Sequence, residues 1–351
     1  MDLSQLFRER VLEARAARSP LAITGGGSKS FYGRPARGET LSTARHTGLL
    51  EYEPTELVLT ARAGTPLAEV EAALAEKGQM LGFEPPHFGP VATLGGTVAC
   101  GLSGPRRPYA GAVRDAVLGV KLLNGKGEIL SFGGQVMKNV AGFDVSRLQA
   151  GALGTLGLLL EISLKVLPRP EAEETLVFDW AAAEALAAMN RWAGQHWPLS
   201  AACHDGQRLY LRLSGAEAAI RASRAKLGGE TWAQGAEFWA GLREQRLAFF
   251  APPGPLWRIS LAPASPPPSL PGDCLIDWGG ALRWLKTNAP AEAVFAAAQA
   301  AGGHATRFRA ESHTGPVFQP LPARLQALHT ALKKAFDPEG LFNPGRMHEE
   351  G

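Results

Sequence analysis

The chain has 351 residues, 45% hydrophobic and 20% charged, a globular composition long enough for about two or three domains. A formal charge of +3, no lysine or arginine stripe, and an isolated Arg106-Arg107 pair argue against nucleic acid as a partner. The N-terminus is charged and amphipathic, unlike a signal peptide; no apolar run approaches the roughly 20 residues of a transmembrane segment; and Cys100, Cys203 and Cys274 lie too far apart for a disulfide framework, a metal site or an iron–sulfur cluster, which suits a reducing cytosol.

The first predicted element is a helix over residues 1–18, with Leu3, Leu6, Phe7, Val11 and Leu12 on one face and Pro20 beyond its end. LAIT (21–24) is a short strand that runs into the glycines of ITGGGSKSF (23–31). Lys29-Ser30 invites a Walker A reading, but that pattern needs glycine where Ile23 and Ser28 stand. A Rossmann turn needs a third glycine where Ser30 stands and a helix after it, whereas FYGRPARGET is loop-like. What remains is a nest of backbone N–H groups suited to an anion, aided by Ser28, Ser30 and Lys29, or else a plain turn.

ELVLTARAG (56–64) is a strand, after which Thr65 is expected to cap a helix with Pro66 in its first turn. Leu67, Val70 and Leu74 share one face of that helix, and Gly78 closes it. A second glycine run, GPVATLGGTVACGLSGPRRPYAGAVRDAVLG (89–119), has almost nothing bulky between Thr93 and Ser103, so a ligand can lie on its backbone. Leu94, Val98 and Leu102 are spaced as on one helix face, which makes this a small-residue helix start aimed at a phosphate. AVLGVKLLNGKGEILSFGG (116–134) is a hairpin turning at Asn124-Gly125-Lys126-Gly127.

In KNVAGFDVSRLQAGALGTLGLLLEISLKVLP (138–168), Gly151, Gly154 and Gly157 precede a strand that alternates Leu160, Ile162, Leu164 and Val166 with polar residues, as if one face were wet. Three separated glycine patches, each beside a strand, suit one long ligand with several polar sections, and a dinucleotide fits that better than a single phosphate.

PRPEAEE (168–174) is a charged, proline-bearing joint, after which alanine-rich helices alternate with strands such as TLVFDW, RLYLRL, LWRISL and CLIDWGGALRWLK. That pattern reads as an α+β domain, one antiparallel sheet with helices on one side, with APASPPPSLPGD (262–273) as a proline-stiffened loop. A final helix and a turn-rich tail, FDPEGLFNPGRM, close the chain.

Taken together, the three glycine patches and the tail resemble the FAD-binding domain of the vanillyl-alcohol-oxidase/PCMH-type flavoproteins. The resemblance covers the first 168 residues and about the last 20. It implies an α+β fold: a PCMH-type FAD-binding domain of two α/β subdomains over 1–168, a smaller α+β cap or substrate-like domain over 169–310, and a helix and tail over 311–351 that return to the FAD domain. Ala152-Leu153-Gly154-Thr155-Leu156-Gly157, where larger members carry Ser-Glu-Gly-Thr-Leu-Gly, and the short middle domain resemble a flavin subunit of bacterial glycolate oxidase. That implies a role in assembly or electron transfer beside a larger FAD-linked catalytic subunit and an iron–sulfur subunit. It also implies a cytoplasmic place, with any contact at the inner membrane made through the complex.

Carried over by position, the resemblance puts Gly25, Gly26, Gly27, Ser28 and Lys29 along the FAD pyrophosphate, with Thr93, Gly95, Gly96, Ala99, Gly101, Ser103 and Gly104 completing that side. Tyr109, Gly111, Arg114 and Asp115 would flank the flavin or order its loop, although Arg114-Asp115 also reads as an ordinary ion pair. Lys138, Asn139, Gly142, Gly154 and Gly157 would lie near the ring and adenosine ends, and Asn343 would approach the isoalloxazine. Some relatives bind FAD covalently through a histidine in the first loop; no histidine lies between residues 21 and 45, so the FAD is expected to be non-covalent.

Relatives that oxidise 2-hydroxy acids carry a motif of the type His-x-Gly-Asp-Gly-Asn-x-His that holds a metal and the base. The eight histidines here do not form it, and His304 and His313 match no metal spacing. No catalytic residue and no metal ligand is therefore assigned. The alternatives are a self-sufficient FAD oxidoreductase using Arg307, Arg309 and His313, and a binding or assembly module that kept the fold without catalysis. Trp232, Phe238 and Trp239 read as core residues, or else as a partner face.

Overall fold

The structure, a computed structural model, describes residues 1–134, 144–310 and 315–347. They fall into two compact units, one drawn from residues 1–102, 112–168 and 320–351, the other from 103–111 and 169–319. Lys138, Asn139, Gly142 and His313 lie outside the described residues.

The first unit begins with α1 (Ser4–Ala17), which buries Phe7, Val11 and Ala14. Leu6 and Leu12 are exposed, so the core-facing stripe is narrower than the sequence suggested. Strands β1 (Leu21–Thr24) and β2 (Glu39–Ser42) pair in parallel. Then follow β3 (Leu49–Glu53), β4 (Val58–Arg62), helix α2 (Leu67–Glu76), the short helix α3 (Leu94–Cys100), the hairpin β5 (Val117–Leu123) and β6 (Ile129–Gly133), and β7 (Leu158–Lys165). Pro66, not Thr65, sits at the N-cap of α2, because the Thr65 hydroxyl is occupied by the N–H and carbonyl of Gly48 at 3.0 and 3.2 Å.

The sheet order is β3-β4-β7-β5-β6, antiparallel throughout. β7 is its central strand and is packed on both faces, which removes the wet face expected from its alternation. Two of its polar residues are paired instead: Ser163 shares a 2.8 Å hydrogen bond with Thr60, and Glu161 pairs with Lys121 at 3.1 Å. Leu59, Ala61, Val70, Leu74, Leu94, Val98, Ile162 and Leu164 form the core between sheet, α2 and α3. A second cluster joins α1 and β1 to Leu158, Leu160, Leu341 and Phe342.

The second unit contains β8 (Ala172–Phe178), α4 (Ala182–Ala193), β9 (Leu199–His204), β10 (Leu209–Gly215), α5 (Glu217–Leu227), α6 (Gly235–Arg243), β11 (Leu256–Ser260), β12 (Asp273–Asp277), β13 (Leu282–Lys286), α7 (Ala291–Ala300) and β14 (His304–Arg309). With Glu230–Thr231 at its edge, they build one antiparallel sheet in the order β8-β10-β9-β12-β13-β11-β14. Phe238 and Trp239 are buried: Phe238 stacks on Tyr210 at 3.9 Å, and the Trp239 indole donates to Thr175 at 2.9 Å. The chain then returns to the first unit as α8 (Ala323–Phe336) and the tail.

Candidate functional site

β1 delivers the chain to Gly25-Gly26-Gly27, and the geometry there explains each glycine. A Cβ on Gly25 would stand 2.4 Å from the Thr93 hydroxyl, and one on Gly26 only 1.5 Å from the Val91 carbonyl oxygen. Both clashes are with the second glycine run, the Thr93 side chain in one case and the Val91 backbone in the other, so the two loops pack directly on each other. Gly27 has φ +76° and no atom within 4 Å of its Cβ position, so it faces open space. The turn is closed by Ser30 N–H donating to Gly27 O at 3.0 Å.

The second run is tied to the end of β4 by Gly95 N–H to Ala63 O (2.7 Å) and Leu94 N–H to Thr65 O (2.9 Å). Thr93 caps α3, accepting from Gly96 N–H at 3.2 Å. The third patch hangs on the end of that helix through Gly151 N–H to Val98 O (3.0 Å) and Leu153 N–H to Ala99 O (2.8 Å). The tail joins from the other side. Leu21 N–H donates to Leu341 O at 2.7 Å, and Asn343 N–H to Leu21 O at 2.9 Å.

These segments enclose a cavity of about 400 Å³ lined by Gly25, Gly26, Gly27, Ser28, Lys29, Thr93, Gly95, Gly96, Ala99, Gly154, Gly157 and Asn343, together with Cys100 and Arg346. A larger cavity of about 1080 Å³ shares Asn343 and Arg346 and reaches Arg114, Arg147, Lys333 and the polar face of α8. Gly101 instead caps α3 at φ +66°, packed on Gly151. Arg114 and Asp115 are exposed and 3.8 Å apart, and Asp115 also accepts from Ala112 N–H at 2.9 Å. Ser103, Gly104, Tyr109 and Gly111 belong to the second unit. There Gly104 O accepts from the Trp278 indole at 2.9 Å, and burial with the nearby Asp277 pushes the Tyr109 hydroxyl up to about 12.

Asn343 is held in the left-handed region at φ +45° and is buried. Its carboxamide is engaged at both ends: the oxygen accepts from Ile23 N–H at 2.7 Å and the nitrogen donates to Leu153 O at 2.7 Å. It therefore joins β1, the third glycine patch and the tail. Arg346, which the sequence reading did not single out, grips the segment after the first loop by donating to Tyr32 O (2.8 Å) and Arg34 O (2.7 Å). Its sequence signal was only its place three residues past Asn343.

The cavity is electropositive. Lys29 is 6% exposed, and its ammonium donates to His87 O at 3.3 Å and Ser28 Oγ at 3.4 Å. Lys29 and Arg346 line the same cavity as Cys100; burial pushes the Cys100 thiol up, while the two positive charges pull it down. A backbone-walled cleft with two cations and hydroxyls at Ser28 and Thr93 fits a pyrophosphate, whose charge is satisfied by backbone N–H groups and buried cations together. Among the described residues, no group of three His, Cys, Asp or Glu side chains is placed to hold a metal ion, and no described helix is long and apolar enough to cross a membrane.

Comparison with known proteins agrees with this geometry. Residues 7–133 match the family model described as FAD binding domain. The chain is 52% identical to glycolate oxidase subunit GlcE of Escherichia coli K12 over 349 residues, covering 99% of this chain and 98% of that one. It is 31% identical to glycolate oxidase subunit GlcD of Bacillus subtilis over 162 residues and 30% identical to a D-2-hydroxyglutarate dehydrogenase of Xanthomonas citri pv. viticola over 164, in each case 46% of this chain and 34% of the relative. A solved structure of alkyldihydroxyacetonephosphate synthase superposes with a TM-score of 0.64 at 17% identity, over 96% of this chain and 74% of that one, a likeness of fold.

Proposed function

Because the chain belongs to the family of the glycolate oxidase subunit GlcE, with an FAD-binding domain and the PCMH-type fold, we propose that it is an FAD-bearing subunit of a glycolate-oxidising complex. In this reading it works beside a larger FAD-linked catalytic subunit and an iron–sulfur subunit, supporting their assembly or passing electrons between them. The observation that carries the proposal is the glycine cradle. Gly25 and Gly26 leave no room for a side chain against Thr93 and Val91, Gly27 has no atom near its Cβ position, and Lys29 and Arg346 line the cavity with positive charge.

Gly25 to Lys29 and Thr93 to Gly96 would hold the pyrophosphate, and Ala99, Gly154 and Gly157 would line the rest of the cleft. Asn343 and Arg346 keep the walls together. When bound, FAD would supply a redox relay that takes up electrons delivered by the larger catalytic subunit and releases them to a one-electron carrier. The chain's own residues bind and orient the cofactor and hold it without a covalent link, since the first loop offers no histidine. Of the residues considered for independent catalysis, Arg309 donates to Gln245 at 3.0 Å and His313 lies outside the described residues. No observation favours a self-sufficient enzyme.

The test is reconstitution. Purified alone, the chain should carry FAD that denaturation releases and should not reduce an artificial dye with glycolate. Combined with the two partner subunits it should restore dye-linked glycolate oxidation. Covalently attached flavin, or full activity of the chain alone, would refute the proposal.

A further inference from the structure

A lysine is a point charge on a flexible stem, so its effect on an anion depends on what fixes its direction. Lys29 is buried, and its ammonium meets a carbonyl from outside its own loop, His87 O at 3.3 Å. The segment that carries this carbonyl, residues 81–91, is tied down on both sides of it. Phe83 is buried in the core of the first unit, and the Val91 carbonyl packs against Gly26. Pro85 and Pro86 restrict the backbone between them. Glu84 and Phe88 hold φ of +44° and +51°, a state that costs energy for a residue with a side chain, and Phe88 meets Phe31 edge-on at 5.3 Å.

The His87 ring has an anchor of its own. Its Nε2–H donates to Glu71 Oε2 at 2.9 Å. Glu71 stands on α2, which Leu67, Val70 and Leu74 fix in the core. A chain of contacts therefore runs from the core through α2, Glu71 and His87 to the Lys29 ammonium. Lys29 lines the 400 Å³ cavity, whereas neither Glu71 nor His87 does.

We propose that Glu71 and His87 are positioning residues that aim the Lys29 ammonium at the cofactor's pyrophosphate. The inference rests on the cofactor reading above and extends it to two residues outside the cleft. Their action goes through Lys29, and this separates them from a pair that only braces the loop. A brace would matter equally with or without the lysine.

The test is a double-mutant cycle on the full apo chain, read by fluorescence titration with FAD, with apo melting temperatures measured alongside. Lys29→Met should weaken binding about tenfold or more, the size of a lost charge-assisted hydrogen bond. Glu71→Ala should weaken it about fivefold with Lys29 in place and less than about twofold in the Lys29→Met background, where nothing is left to aim. Glu71→Gln keeps an acceptor for the His87 N–H and should recover most of the loss. His87→Ala in both backgrounds gives a second, independent cycle if Glu71→Ala folds poorly. Equal losses with and without Lys29 would overturn the inference and leave the cofactor reading standing. So would an FAD affinity that Lys29→Met does not change. If the wild-type chain binds no FAD, the cofactor reading itself fails and takes this inference with it.

Discussion

Gly27→Ala, compared with Gly78→Ala, separates a cofactor cradle from an ordinary tight turn. The two glycines have similar backbone, φ +76° and +63°, and neither has an atom within 4 Å of its Cβ position. A methyl group at either site therefore meets only the left-handed backbone penalty, about 1–2 kcal/mol. Each apo variant should lose a few degrees of melting temperature, at about 2–4 °C per kcal/mol for a domain of this size. The sites differ in what the methyl would face. Gly78 ends α2, whereas Gly27 lines the 400 Å³ cavity between Lys29 and Thr93. Displacing a bound phosphate from even one charge-assisted hydrogen bond costs about 1.5–3 kcal/mol, roughly a tenfold to hundredfold loss in affinity. Fluorescence titration of the apo chains with FAD should show that loss for Gly27→Ala and wild-type affinity for Gly78→Ala. Equal affinity in both variants would refute the cradle.

Three further outcomes follow from the same geometry. Gly26→Ala would put a methyl 1.5 Å from the Val91 carbonyl oxygen, backbone that cannot swing aside, so it should cost about 3 kcal/mol or more and abolish FAD retention, read by calorimetry and by the absorbance of the purified protein. Asn343→Ala would strand the Ile23 N–H and the Leu153 carbonyl, an expected loss of about 2–4 kcal/mol in urea unfolding accompanied by weaker FAD binding. His46 is fully buried and accepts from Leu3 N–H at 3.0 Å, and burial lowers its pKa below 6.5. The unfolded chain therefore binds the proton first, so stability held above about pH 6.5 is lost as pH falls through that value. His46→Gln should flatten urea midpoints measured between pH 7 and 5.5, and an unchanged slope would count against this role.

Much of the site was legible because glycine records where a Cβ cannot fit. Gly25, Gly26, Gly95 and Gly154 each meet an atom under 3.0 Å from that position, and that constraint is written in the residue itself. Arg346 was not legible, since its long side chain reaches back to carbonyls more than three hundred positions earlier. Asn343 was visible as a residue, but the sequence could not show that both ends of its carboxamide are taken by backbone. In the fold, β9 escaped notice because Ser200-Ala201-Ala202 carries no β-branched signal, yet those small side chains are what the crowded sheet centre admits. Leu6 and Leu12 misled in the opposite sense: helical spacing placed them with Phe7 and Val11, but Phe7, Val11 and Ala14 already fill the contact with β1 and the tail.

The most direct measurement is an anaerobic absorbance titration of the isolated chain, loaded with FAD, against glycolate. Oxidised flavin bands should persist with substrate alone and bleach once the larger FAD-linked subunit is added. Complete bleaching of the isolated chain by glycolate would contradict it.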